Sequence, residues 1–149
     1  MIVKQIDFDT IKDIWKNELW ENRQSEIKAT SSMVFNGGYD MSIHNNVPTF
    51  LCVENENQIV AVNSGHMTIN NFYRSRGLWV KQEFRKKGIT YLLFDVLMKQ
   101  ALKEGAKFIW SLPRSSSLSV YLKNGFVCES NPVYNFEFGP HFYVSKKLV

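Results

Sequence analysis

The stretch Leu78–Gly105, LWVKQEFRKKGITYLLFDVLMKQALKEG, constrains the fold of this chain more than any other. It opens with an apolar strand end (Leu78, Trp79, Val80) and passes through a charged turn that closes on Gly88. Apolar residues Ile89, Leu92, Leu93, Val96 and Leu97 then recur at the i, i+3, i+4, i+7, i+8 spacing of a helix. A strand therefore feeds a helix through a cationic, glycine-ended loop. The first turn of a helix leaves backbone N–H groups without partners and carries about half a unit of positive charge. Arg85, Lys86 and Lys87 stand where a purely structural helix favours Asp, Glu or a Ser cap, and cations there are unfavourable by roughly 0.3–1 kcal/mol each. That placement suits a bound phosphate. Gly88 lets the backbone approach a ligand closely or take positive φ. The same residues also read as an ordinary basic surface turn.

The segment Arg85-Lys86-Lys87-Gly88-Ile89-Thr90 resembles the acyl-CoA-binding signature of the GNAT superfamily of N-acyltransferases, Q/R-x-x-G-x-G/A between a strand and a helix. Arginine and glycine match, whereas Thr90 departs from the usual Gly or Ala: its β-branched side chain would crowd the pyrophosphate or donate its hydroxyl to it. About thirty residues on, Ser117 to Phe126 (SLSVYLKNGF) resembles the A-x-x-x-Y-x-x-x-G-F helix and strand start of the same family. The two matches fall in family order and, with the elements around them, cover most of the chain.

At 149 residues the chain has the size of one domain, 1–149, with a single core. No apolar run approaches the ~18 residues of a membrane span and the N-terminus lacks a signal-peptide core, so a cytoplasmic protein that does not enter a membrane is expected. Cys52 and Cys128 lie in apolar runs without metal-type spacing and read as buried free thiols; no metal is expected. The net charge of +4 is spread along the chain and would attract a polyanion such as CoA, with nucleic acid a weaker candidate.

Along the chain, Ile2 to Ile6 alternates as an edge strand, and Asp9-Thr10 offers a cap for a helix through Ile11, Ile14, Trp15 and Leu19. Apolar residues between 21 and 46 suggest a second short helix before Gly37-Gly38. Phe50 to Val53 and Ile59 to Val62 form a hairpin about Glu54–Gln58, and a further strand ends at Val80. Gly105 ends the central helix, Phe108 to Leu112 is a strand parallel to the one before it, and Ser115–Ser117 caps a helix carrying Tyr121. Two strands follow, near Phe126 to Phe138 and His141 to Lys147. The sum is an α/β fold with a mostly antiparallel sheet of about seven strands, one parallel pair, and about four flanking helices.

The resemblance implies an acetyl-CoA-dependent N-acetyltransferase acting on a primary amine of a small molecule or peptide, with acetyl-CoA as co-substrate. It implies that the parallel strands splay beyond Val80 to admit the acyl-pantetheine. Val80 would meet it through its backbone N–H, and Arg85, Lys86, Lys87, Gly88, Ile89 and Thr90 would hold the pyrophosphate. Arg114, where the family often has Asn, would reach the CoA phosphates. Tyr121 would protonate the departing thiolate, since a phenol of ordinary pKa near 10 keeps its proton at neutral pH. The base is not legible: the strand to Val80 holds no carboxylate, Glu83 reads as solvated, His66 as structural, and His44 and His141 sit in loops. Glu21, Glu26, Asp40 and Glu137 are the carboxylates available to hold an ammonium group. Two other readings stay open, a GNAT-type toxin acetylating aminoacyl-tRNA and an acyl-CoA-binding module without turnover, and a homodimer is compatible with each.

Overall fold

In the computed structural model, which describes residues 1–148, the N-terminal strand β1 (Ile2–Gln5) leads into α1 (Phe8–Ile14). The cap is Asp7, whose carboxylate accepts the Thr10 N–H at 2.8 Å. Asp9, expected at the cap, lies two residues past it in the first turn, where its charge complements the dipole. From Trp15 to Leu19 the helix widens into a π turn closed by the Trp20 N–H on Trp15 O. A short 3₁₀ turn spans Met41–Asn45, and residues 21–40 form a loop where a second helix was expected. That loop is tied down by side chains from elsewhere rather than by helical bonds: Glu137 holds Gln24 and Ser25, and Arg76 holds Lys28 O.

Strands β2 (Thr49–Asn55) and β3 (Gln58–Met67) meet at a turn of only Glu56 and Asn57, both at positive φ, as the right-handed strand twist favours. β4 (Phe72–Val80) follows, then α2 (Ile89–Lys103), β5 (Phe108–Ser111), α3 (Ser115–Lys123), β6 (Val127–Cys128) and β7 (Val144–Lys147). They form one sheet in the order β1-β2-β3-β4-β5-β7-β6, antiparallel except for β4 and β5. Seven strands and a central parallel pair match the expectation. The helices are three, the fourth place being taken by the 21–40 loop and the 3₁₀ turn. The strand expected from Phe126 to Phe138 shrinks to two residues, because Asn131-Pro132 turns the chain out into a loop. With β6 at the sheet edge, Cys128 is exposed; Cys52, in the interior strand β2, is buried as expected.

On one sheet face α2 buries Ile89, Leu93, Phe94, Leu97 and Ala101 against Val53, Ala61, Tyr73, Ile109 and Val144. Each large side chain so buried contributes roughly 1.5–3 kcal/mol. Leu92, expected on this face, is partly exposed, and Phe94 takes the inward position. On the other face Ile11 and Trp15 pack with Phe50, Cys52 and Val62. Among the described residues no helix is long and apolar enough to cross a membrane.

One irregularity in the sheet opens the site. Val62 pairs with Trp79 and Ser64 with Arg76, so two steps along β3 oppose three along β4, and the extra residue falls at Gly77-Leu78. Gly77 has φ of +74°, and the Trp15 indole lies so close that a Cβ there would stand 2.3 Å from ring atoms. Trp15 Nε1 also donates to Gly77 O at 2.8 Å. A bulge bends the strand that carries it. β4 pairs with β5 only from Phe72 to Arg74, so the two part at Ser75, well before Val80 where the splay was expected.

Candidate active site

The fork between β4 and β5 closes on a hydroxyl cluster. Ser111 Oγ, at the end of β5, donates to Ser75 O of β4 at 2.7 Å, and Tyr121 from α3 places its hydroxyl 3.1 Å from Ser75 Oγ and 3.2 Å from Ser111 Oγ. Asn63 of β3 donates to Ser75 Oγ at 3.0 Å. Because the one proton of Ser111 goes to the closer Ser75 carbonyl, the phenol is left to donate to a serine oxygen or to a guest. Tyr121 is buried, with its ring against Phe94 and Phe126. Burial raises its pKa, more than its serine bonds and Arg74 lower it, so the phenol is neutral through the physiological range.

The cationic loop lies at the outer end of β4. Gly88 is the N-cap of α2 in the left-handed region at φ 75°, with no side-chain cap, and the first turn of α2 holds no acidic residue. A Cβ on Gly88 would meet nothing within 4 Å, so open space faces the helix start. Arg85, Lys86 and Lys87 are exposed around it, and Arg85 Nε donates back to Val80 O at 3.0 Å, bracing the loop on the strand end. Ile89 is buried in the core, which leaves its backbone alone to face the open space at the helix start. Thr90 Oγ1 accepts from Asn124 Nδ2 at 3.3 Å, so the residue that departs from the family pattern ties α2 to the end of α3. An uncapped helix start with open space before it fits a pyrophosphate.

Inward of the loop, a cavity of about 340 Å³ runs from the fork to the π turn and the last loop. Tyr121, Ser111, Gly77 and Leu78 line it on the sheet side, Leu19 and Trp20 on the π-turn side, and Phe136 and Phe138 on the last-loop side. Four arginines reach it. Arg74 and Arg76, alternate residues on one face of β4, lie over Trp110 and between Trp15 and Trp20 respectively. Arg23 stacks on Trp20, and Arg114 lies over Phe138 with Nη2 donating to Leu19 O at 2.8 Å. Arg114 thus stands on the cavity wall beneath α3. Burial lowers the Arg74 pKa to about 10, which leaves it protonated at neutral pH, and burial with the neighbouring Arg74 and Arg23 holds Arg76 well below the usual arginine value.

The histidines separate cleanly. His66 is fully buried, Nε2 accepts the Ser31 N–H at 3.2 Å and Nδ1 meets Met67 O, so both nitrogens are used. Burial and the adjacent Arg74 hold its pKa down to about 3. His66 is a neutral structural residue. His44 Nδ1 bonds Thr30 Oγ1 at 2.8 Å and does not line the cavity. His141 does line it: Nδ1 donates to Gly139 O at 2.8 Å, which leaves the lone pair on Nε2. Burial above all, then Arg114 and Arg74, keep its pKa below the ordinary 6.5 despite the Gly139 bond. His141 is thus a neutral imidazole on the cavity wall; sequence reading placed it in a loop, since nothing in the local sequence marks the strand bridges from Arg114 and Val133 that hold it. Of the four carboxylates, Glu137 alone lines the cavity, and it accepts from the Gln24 N–H, the Ser25 N–H and the Ser25 hydroxyl. Asp40 instead caps the 3₁₀ turn at Ser42.

The family model described as "Acetyltransferase (GNAT) family" matches residues 12–126. Among solved structures, the chain is similar to an aminoglycoside 6'-N-acetyltransferase complexed with coenzyme A, with TM-score 0.71 and 14% identity over 100% of this chain and 98% of that one. It is similar to an IAA acetyltransferase from Bacillus cereus ATCC 14579, TM-score 0.69 at 13% identity over 98% of each chain. It is also similar to an acetyltransferase of the GNAT family from Staphylococcus aureus Mu50, TM-score 0.64 at 15% identity over 99% of each chain. No curated protein sequence matches. At these identities the likeness is one of fold.

Proposed function

This chain belongs to the GNAT acetyltransferase family, and from that premise we propose that it moves an acetyl group from acetyl-CoA to a primary amine of a small molecule or peptide. The observation that carries the reading is the Tyr121 hydroxyl at the apex of the β4–β5 fork, bonded to a serine from each strand. A thioester entering the fork from the Gly88 end would meet it there.

In this reading the α2 first-turn N–H groups of Ile89 and Thr90, with Gly88 and the cations Arg85, Lys86 and Lys87, hold the pyrophosphate. The backbone of Val80 borders the acyl-pantetheine, whereas Arg114, expected at the CoA phosphates, is engaged on the cavity wall with Leu19 O and Phe138. His141 Nε2 takes the proton released as the amine nitrogen bonds the acetyl carbonyl carbon. Tyr121 delivers its proton to sulfur as the carbon–sulfur bond breaks and regains one from water once the products have left the cavity, while His141 gives up the amine proton to water in the same reset. Both groups start in the required state, since His141 is neutral and Tyr121 protonated at pH 7.

The test is a thermal shift with acetyl-CoA followed by CoA release on an amine panel. Acetyl-CoA at about a hundred times its Kd stabilises a single site by roughly 2.7 kcal/mol. No shift at millimolar acetyl-CoA or CoA would remove the reading.

A further inference from the structure

Acyl transfer leaves the charge of the cavity unexplained. Four guanidinium groups, from Arg23, Arg74, Arg76 and Arg114, line it against a single carboxylate, Glu137, an excess of three positive charges. Glu137 is already engaged by Gln24 and Ser25. The ion pairs among the described residues, Lys4–Glu54 and Lys99–Asp95, involve none of these arginines.

Arg74 and Arg76 are only 9% and 6% exposed. An exposed arginine meets its charge with water, whereas a buried one without a counter-charge is costly. Each makes one protein hydrogen bond, Arg74 Nη1 to Ser31 Oγ at 2.6 Å and Arg76 Nη1 to Lys28 O at 2.7 Å, both to neutral oxygens. Arg74 Nε is buried and has no hydrogen-bond partner among the described residues. The indoles of Trp110, Trp15 and Trp20 hold the guanidinium planes in place without neutralising them. Two fixed planar forks, two residues apart on one strand face, are built for a planar anion. The remaining wall carries Trp20, Phe136, Phe138 and Leu112, and a cavity of about 340 Å³ suits a small guest. A polycationic amine would meet four like charges against one carboxylate that is already engaged.

Resting on the acyl-transfer reading above, we propose that the acceptor is a small primary amine that also carries a carboxylate, an amino-acid-type substrate. Its carboxylate sits between Arg74 and Arg76, and its amino group faces His141.

The experiment titrates the wild-type protein, with CoA present, with free α-, β- and γ-amino acids, and with the matching amino amides, decarboxylated amines and O-phosphoethanolamine. Binding is read from the Arg74 Nε–H resonance in protein labelled with ¹⁵N-arginine, assigned by its loss in Arg74→Lys. CoA release is measured alongside. The acids are expected to move the resonance and to be acetylated with kcat/KM roughly 10²- to 10³-fold above their amides, the loss expected when a buried charge pair lacks one partner. Arg76→Gln should raise the KM of the acid by a similar factor and abolish the preference over the amide. Acids that leave the resonance in place at millimolar concentration, amides that match acids, or a preference for the phosphate ester each overturn the proposal. If acids bind while acetyl-CoA gives no thermal shift, the anion site stands and the acyl-transfer reading falls. If acetyl-CoA binds and acids do not, the acceptor assignment falls alone. Should Arg76→Gln fail to fold, the wild-type comparison of acid with amide decides.

Discussion

Replacing Tyr121 by Phe separates stability from chemistry. The ring keeps its contacts with Phe94 and Phe126, at centroid distances of 5.2 and 5.0 Å. What goes is a hydroxyl bonded to Ser75 and Ser111, each of which has another partner: Asn63 for Ser75, and Ser75 O for Ser111. No buried group is orphaned, so the stability loss should be about 1 kcal/mol, the usual net contribution of a hydrogen bond. Loss of a general acid lowers kcat by roughly 10²–10⁴, about 3–5 kcal/mol of transition-state stabilisation. Urea denaturation would measure the first and CoA release at saturating acetyl-CoA the second. Because burial raises the Tyr121 pKa above its ordinary 10, the ratio of wild-type to variant kcat should be flat from pH 6 to 9. A loss of kcat below tenfold, with chemistry shown to limit the rate, would refute the assignment, as would a ratio that collapses within that range.

Gly88→Asn tests the phosphate end. Asn tolerates the left-handed conformation that Gly88 adopts, and its side chain enters the open space before α2, so the apo fold should persist while the acetyl-CoA thermal shift disappears. Gly77→Ala drives a methyl group to 2.3 Å from the Trp15 indole at a positive φ and should lower stability by about 2–4 kcal/mol in urea denaturation. Arg74→Met removes a buried charge that has no ionic partner and loses one bond to Ser31. The apo protein should therefore be as stable or up to about 2 kcal/mol more so by thermal denaturation, and a clear loss would show that the arginine is held for structure.

The parallel pair, the turn at residues 56 and 57, and the uncapped start of α2 were legible because each is set by local chemistry: a helix between two strands, polar turn residues, a glycine behind three cations. The cavity was not, because its parts are distant in sequence. Gly77 is one glycine among eight, and only the Trp15 indole packed over it, from 62 residues away, shows why β4 must bulge there. The strand to Val80 drew notice in the sequence only for lacking a carboxylate, and arginines normally stand in solvent, so nothing local marked Arg74 and Arg76. They lie inside because residues 21–40, expected to form a helix, cross over them as a loop. The same loop bears on the carboxylates available to hold an ammonium group: Glu137 lines the cavity but already accepts from Gln24 and Ser25, while Glu21, Glu26 and Asp40 do not line it, so the polar wall of the cavity is mainly cationic.

That cationic wall also adds to the lowering of the pKa of His141, the proposed base. His141 has a pKa below 6.5 through burial first, then through Arg114 and Arg74. Its folded value lies below its unfolded one, so the imidazole is neutral above that lowered pKa, and activity that needs it is lost only as pH falls through it. A bound carboxylate would offset part of the arginine field without altering the burial, and the His141 pKa should then rise toward 6.5 in the complex. The acid limb of kcat/KM reports the free enzyme and that of kcat the substrate complex. For an amino-acid acceptor the kcat limb should therefore lie at the higher pH, and for the matching amide the two limbs should coincide. Arg114→Gln should move the kcat/KM limb upward by removing one of the charges responsible. Coincident limbs with an acid acceptor, or an unmoved limb in Arg114→Gln, would mean that the group titrating is not His141.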